Sequence, residues 1–280
     1  DGDTPARTCG LRQGDIITAM DGTAIDSTEQ VQSLLAEAAG QETTLTVRRG
    51  SSTLALSACA RPGAGGAWQL GAWIRDSMAG IGTLTFADPQ TGVFGSLGHG
   101  ICDAETGVLL PLSEGDLIYS TVETVTRGKS GAPGALQGDF SDARPIGTVT
   151  KNTVHGIFGT LSDLSLLSGQ DALPVAARDE IRTGDAEIIA NIDGDKVQRY
   201  SVQIVRLYPE NDEYGRGMML RVTDKALLAQ TGGILQGMSG SPVVQNGRLI
   251  GAVTHVLVDD PASGYAICID DMLREAESIA

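Results

Sequence analysis

The chain has 280 residues and a formal net charge of −15. That length suffices for one large domain or two ordinary ones with a real core, and an acidic chain with no basic cluster argues against nucleic acid or an anionic membrane surface as a partner. Aromatics make up 4% of the residues while glycine numbers 37, a mix that suits many short strands and tight turns better than a helical bundle.

Nowhere does the sequence approach the ~18 consecutive apolar residues of a membrane-spanning helix. It opens at Asp1 with neither a Met nor an apolar leader, which reads as a processed or shortened form. The first sixty residues read as a compact α+β unit. Residues 15–20 (DIITAM) are strand-like and Asp21-Gly22 supplies a turn. Ser27 with Gln30 three positions on makes a capping box, Val31, Leu34 and Leu35 follow at helical spacing, and Gly40 stops the helix. Residues 43–47 and 53–56 then form a hairpin. The string GLRQGDIITAMDGTAIDS at 10–27 resembles the middle of a PDZ domain of the bacterial protease type. On that resemblance residues 1–60 are a partial PDZ unit, whose peptide-binding edge strand would precede residue 1.

Residues 61–69 (RPGAGGAWQ) read as a linker. Beyond it, short apolar strands alternate with Gly, Pro and Asp, as at 82–86, 147–150, 186–190, 202–205 and 218–222, a spacing that predicts an all-β barrel or sandwich over 70–280. Only 164–182 and 270–280 offer helical stretches. The cysteines Cys9, Cys59, Cys102 and Cys268 are far apart and form no CxxC pair, so zinc is not expected and spacing assigns no disulfide.

The informative segment is 231–258 (TGGILQGMSGSPVVQNGRLIGAVTHVLV). An apolar strand runs into Gly237-Met238-Ser239-Gly240, and a hairpin built on Asn246-Gly247 follows. A nucleophilic serine needs a sharp turn whose own N–H, with that of the residue two before it, points at the developing oxyanion; Gly237 and Ser239 are the donors on this reading. The string resembles the G-x-S-G-x-P signature of chymotrypsin-like peptidases, which implies a two-barrel fold, with Thr254 and His255 on the strand that lines the substrate. Six positions before Ser239, where trypsin-like enzymes place an acid, stands Gly233, so nothing supports a preference for Lys or Arg.

The hydroxyl needs a base within hydrogen-bond reach. Of the three histidines, His99 stands at a glycine-flanked strand end well upstream of the serine; His155 reads as a loop or structural residue and His255 as a pocket wall. For the acid, Asp116, Asp139, Asp142, Asp163 and Asp224 all lie between base and nucleophile, and a dyad assisted by Thr254 is a further arrangement.

SLGHGI at 96–101, the NTxxGIFG pattern at 152–159 and GMSGSPVVQNGRLIGAVTHV at 237–256, behind a PDZ-like unit, resemble the stage IV sporulation protein B peptidase family of endospore-forming bacteria. The resemblance implies a Ser-His-Asp triad of Ser239, His99 and Asp224, with no cofactor and no metal. It also implies export across the forespore inner membrane, self-cleavage, and cleavage of a membrane-bound regulator that releases sigma-factor processing. The competing readings are a non-catalytic PDZ-plus-barrel adaptor for protein tails, and an envelope quality-control protease, which would carry its PDZ after the peptidase rather than before it.

Overall fold

The computed structural model describes residues 3–104, 106–139, 144–169, 172–208 and 216–279. A first compact unit runs to Ala79 and takes in Ala104–Val108; a second begins at Gly80.

The first unit holds α1 (Pro5–Thr8), β1 (Ile16–Met20), β2 (Thr23–Ala24), α2 (Thr28–Ala38), β3 (Glu42–Arg49), β4 (Ser52–Cys59), β5 (Arg61–Pro62) and β6 (Trp68–Gln69). Its sheet order is β2-β1-β3-β4. Asp21 and Gly22 both adopt positive φ in the β1–β2 turn. Ser27 caps α2 by accepting the Gln30 N–H at 3.2 Å, while the Gln30 carboxamide reaches back to the Asp26 N–H, one residue beyond the expected reciprocal partner. Val31 and Leu35 of α2 bury against Leu45, Val47 and Met20 of the sheet. Residues 61–69 are folded rather than a bare connector. β5 pairs with β6, and the Trp68 ring lies so close to Gly40 that a Cβ there would sit 2.4 Å from it.

The second unit is β throughout apart from short helices. It contains β7 (Leu84–Ala87), β8 (Val93–Ser96), β9 (Gly115–Ile118), β10 (Thr121–Thr126), β11 (Ala135–Asp139), β12 (Pro145–Thr153) and β13 (Gly156–Leu161). After these come β14 (Gly184–Asn191), β15 (Val197–Leu207), β16 (Met218–Val222), α3 (Lys225–Thr231), β17 (Pro242–Gln245), β18 (Arg248–Val256), β19 (Ser263–Cys268) and α4 (Ile269–Ala276). The first half is a five-stranded antiparallel sheet, β7-β8-β13-β12-β9, with β10 and β11 as a separate ribbon. The second half is a closed barrel, β14-β15-β16-β19-β18-β17, completed where Ile188 pairs with Val243.

Alternation along each barrel strand sends Ile188, Ile204, Leu220, Val243 and Val253 inward, where Met238 of the serine turn joins them. Burying each such side chain fully contributes about 1.5–3 kcal/mol. Helix α4 spans the two halves. Ile269 and Met272 pack on Val93 and Phe158 of the sheet and on Ala252 and Ile267 of the barrel. Glu275 near its end accepts from Lys151 Nζ and pairs with His155 Nδ1 at 3.0 Å, which fastens the helix to the β12–β13 hairpin.

The helical expectation for 164–182 does not survive. Among the described residues there, only the 3-10 turns Leu164–Leu167 and Arg178–Glu180 form. Between them Pro174, which has no N–H to give a helix, accepts from Leu249 N–H, and Ala176 N–H donates to Leu249 O, so the backbone runs extended beside β18.

Candidate active site

The serine turn is built by close backbone approaches. Gly232 caps α3 in the left-handed region, its N–H donating to Leu228 O at 3.0 Å. Gly233 follows with φ +143°, and a Cβ on it would lie 2.0 Å from Pro261 O, so no acidic side chain fits where trypsin-like enzymes carry one. Gln236 is stitched to the first half: its N–H donates to Gly134 O and its carbonyl accepts from Leu136 N–H, both at 2.9 Å. Ser239 sits between Gly237 (φ +98°) and Gly240 (φ +93°). A Cβ at Gly240 would stand 2.0 Å from Thr83 O. Thr83 N–H donates to Ser239 O at 2.8 Å, and Gly240 N–H to Val253 O at 2.8 Å. The Ser239 hydroxyl donates to Thr254 O at 2.8 Å. Among the described residues, the N–H groups of Gly237 and Ser239 donate to no turn or loop carbonyl.

His99 emerges from β8 through Leu97 and Gly98, both with positive φ (68° and 70°). The bend lays Gly98 on the barrel, with its missing Cβ 3.0 Å from side-chain atoms of Thr254 and Ile267. Nδ1 of His99 is 2.9 Å from Gly100 O. Burial drives the His99 pKa below the ordinary histidine value, outweighing the opposing pull of that carbonyl, so the ring is neutral and basic at neutral pH.

Base candidate and serine turn are thus tied to common neighbours on both sides. Thr83 O accepts from Ser96 Oγ at 2.6 Å just before the histidine bend, while Thr83 N–H holds the serine carbonyl. On the barrel side, Thr254 O receives the Ser239 hydroxyl, and the next residue, His255, stacks on His99 with ring centroids 4.8 Å apart and planes tilted by 37°. Thr254 itself is buried, and its hydroxyl oxygen makes no hydrogen bond among the described residues. Ser239 therefore meets Thr254, and His99 meets its neighbour His255.

Asp224 stands differently. It is the N-cap of α3, its carboxylate accepting the Leu227 N–H at 2.9 Å and its own N–H donating to Ser201 O. Of the other acids, Asp163 caps the 3-10 turn at 164–167 and accepts from Ser165, Asp116 lies on β9, Asp139 ends β11, and Asp142 lies outside the described residues. His155 occupies the β12–β13 turn and pairs with Glu275, the structural role expected of it.

Sequence reasoning passed over two residues that shape the site. Thr83 gives no local signal, because its partners lie far along the chain. Asn152, quoted only as part of a motif, uses its whole carboxamide next to His99: Oδ1 accepts from Ile101 N–H, and Nδ2 donates to Ile101 O and Leu110 O, each at 2.9 Å.

This mainly β chain, whose glycine-bounded Ser239 and strand-end His99 both meet the 254–255 stretch of β18, is a serine peptidase. The SpoIVB peptidase S55 family matches residues 66–273 and a PDZ domain matches residues 2–49; the chain belongs to the SpoIVB peptidase family. Among solved structures it is similar to the inactive form of the Rv3671c protease, at 19% identity and a TM-score of 0.36 over 53% of this chain and 73% of that one. It is similar also to the active form of that protease from M. tuberculosis (18%, TM-score 0.35, 52% and 65%). A third is the HtrA-type protease AlgW with decapeptide (17%, TM-score 0.36, 71% and 62%). No curated protein matches the sequence.

Proposed function

We propose that this peptidase is an endopeptidase in which Ser239 is the nucleophile and His99 its general base. The observation that carries the reading is the convergence just described, with Ser239 Oγ on Thr254 O and the neighbouring His255 ring against His99. For attack, the Ser239 hydroxyl exchanges its bond to Thr254 O for one to Nε2 of His99. The oxygen adds to the peptide carbonyl while the ring takes the proton, and the imidazolium later returns that proton to the leaving amine. The N–H groups of Gly237 and Ser239 receive the oxyanion, where each donor is worth about 3–4 kcal/mol in the transition state. Thr254 and His255 line the bound polypeptide. The family resemblance implies Asp224 as the acid of the triad, and we assign it the negative charge that compensates the imidazolium. No cofactor or metal enters the cycle.

The substrates on this reading are the chain itself and a membrane-bound regulatory protein whose cleavage triggers sigma-factor processing. The setting is the space beyond the forespore inner membrane, where an exported signalling peptidase meets its target. Family membership is the support for this part. The test is to incubate the pure protein with a fluorophosphonate probe, then map the adduct and any new N-termini. The expected result is one adduct on Ser239 and a cut near the N-terminus, both absent in Ser239→Ala and present in Ser241→Ala. A Ser239→Ala chain that still cuts itself defeats the reading, and a wild-type chain that takes no adduct is the adaptor instead.

A further inference from the structure

We propose that the Gly100–Ile101 peptide group, clamped by Asn152, orients the His99 ring, which makes Asn152 a positioning residue of the reaction. The inference rests on the reading of His99 as base and deepens it. A triad carboxylate does two things: it fixes the tautomer and orientation of the imidazole, and it compensates the charge that forms. The present geometry gives the first of these to main chain. A carbonyl oxygen can only accept, so Nδ1 at 2.9 Å from Gly100 O must carry the proton, which leaves Nε2 with the lone pair that a general base needs.

The Gly100 carbonyl belongs to the same planar trans unit as the Ile101 N–H, and the two point in opposite directions. Whatever grips that N–H therefore sets the direction of the carbonyl. The grip is Asn152 Oδ1 at 2.9 Å. Its amide nitrogen is itself fixed by Ile101 O and Leu110 O, which settles which end of the carboxamide is oxygen. Leu110 N–H adds a bond to Ile101 O at 3.0 Å. Gly100 threads this corner so closely that a Cβ would meet Thr153 O at 2.6 Å and Leu109 Cδ1 at 2.3 Å, so the unit is held on both sides. Turning the peptide would leave half-buried donors and acceptors unpaired, at about 1–3 kcal/mol each. Among the described residues, no carboxylate is hydrogen-bonded to Nδ1, and the Asp224 carboxylate is engaged at its helix cap.

The test compares Asn152→Ala with the wild-type chain by two readouts. One is the rate of fluorophosphonate labelling of Ser239, with kcat and KM on a peptide substrate. The other is the tautomer of His99 from spectra of protein carrying 15N-histidine. Expected is labelling slower by on the order of 10- to 100-fold, in kcat rather than KM, with the Nδ1–H tautomer of His99 lost. Lys151→Ala, which loosens the same hairpin from α4 without touching the clamp, keeps the wild-type rate and tautomer. That control separates positioning from a general loosening of the fold. Wild-type kinetics in Asn152→Ala, or an Nε2–H tautomer in the wild-type protein, overturns the proposal. So does loss of the Nδ1–H tautomer in Asp224→Asn, because the carboxylate would then be the orienting group. His99→Ala labelling at the wild-type rate would instead remove the base reading itself.

Discussion

At the level of single residues, Asp224 and Gly240 offer the sharpest tests. Asn caps a helix about as well as Asp, and Ala does not. Asp224→Asn should therefore keep the melting temperature of the wild-type chain, whereas Asp224→Ala should lose about 1 kcal/mol, read from denaturant curves on the Ser239→Ala background. Turnover lowered by orders of magnitude in Asp224→Asn, at unchanged stability, separates a catalytic charge from a cap. Gly240→Ala places a methyl group against Thr83 O and forces a side chain to φ +93°. Both the turn and its contact with Thr83 should give way, with at least about 2 kcal/mol lost and no labelling of Ser239. The backbone of the serine turn and of the bend before His99 was legible at this scale, because the glycines beside them state the conformations those turns need. The clamp was not. Asn152 lies 51 and 42 positions from Ile101 and Leu110, and no local pattern reports a bond across such a distance.

Among the elements, the strands followed their alternation closely, and Asn246-Gly247 made the hairpin turn with both residues at positive φ, as such a dipeptide should. Helix α3 carried a full set of signals, Asp224 before it and Gly232 after it, yet its shortness between two strands hid it. The stretch at 164–182 erred the other way, since its apolar spacing suited a helix but Pro174 and the pairing with Leu249 drew it into extended backbone. Helix α4 sits where the sequence put one, and its fastening can be tested. Burial alone would raise the pKa of Glu275, but Lys151 and His155 beside it outweigh that and hold it below the ordinary glutamate value. Glu275→Gln should destabilise the chain by about 1–2 kcal/mol, a figure between those for exposed and buried pairs. The loss should be largest near neutral pH and vanish in acid, when urea titrations are run across pH.

For the whole molecule, these two groups predict how the protein responds to pH. The His99 pKa is lowered in the folded chain, so stability from keeping the ring neutral is present above the unfolded value of about 6.5 and is lost as pH falls toward the folded value. The contribution of Glu275 holds above the unfolded glutamate value of about 4.3 and disappears as pH drops through its depressed folded value. Melting temperatures of Ser239→Ala protein should thus decline in two stages on acidification, and His99→Gln should abolish the first. If His99 is the base as proposed, the acid limb of proteolysis should lie at lower pH than an exposed histidine would give.

The contacts that shape the serine turn also set a schedule. Gln236 leans on residues 134–136, Ser239 on Thr83, and Gly233 and Ile234 on Pro261, a residue that leaves the ribosome after all the others. A nascent chain halted just past Ser239 would carry the proposed nucleophile and base but lack β17, β18 and β19, three of the six strands that close the barrel. On the proposed self-cleavage, the first cut could come only after Pro261 and β19 have been made.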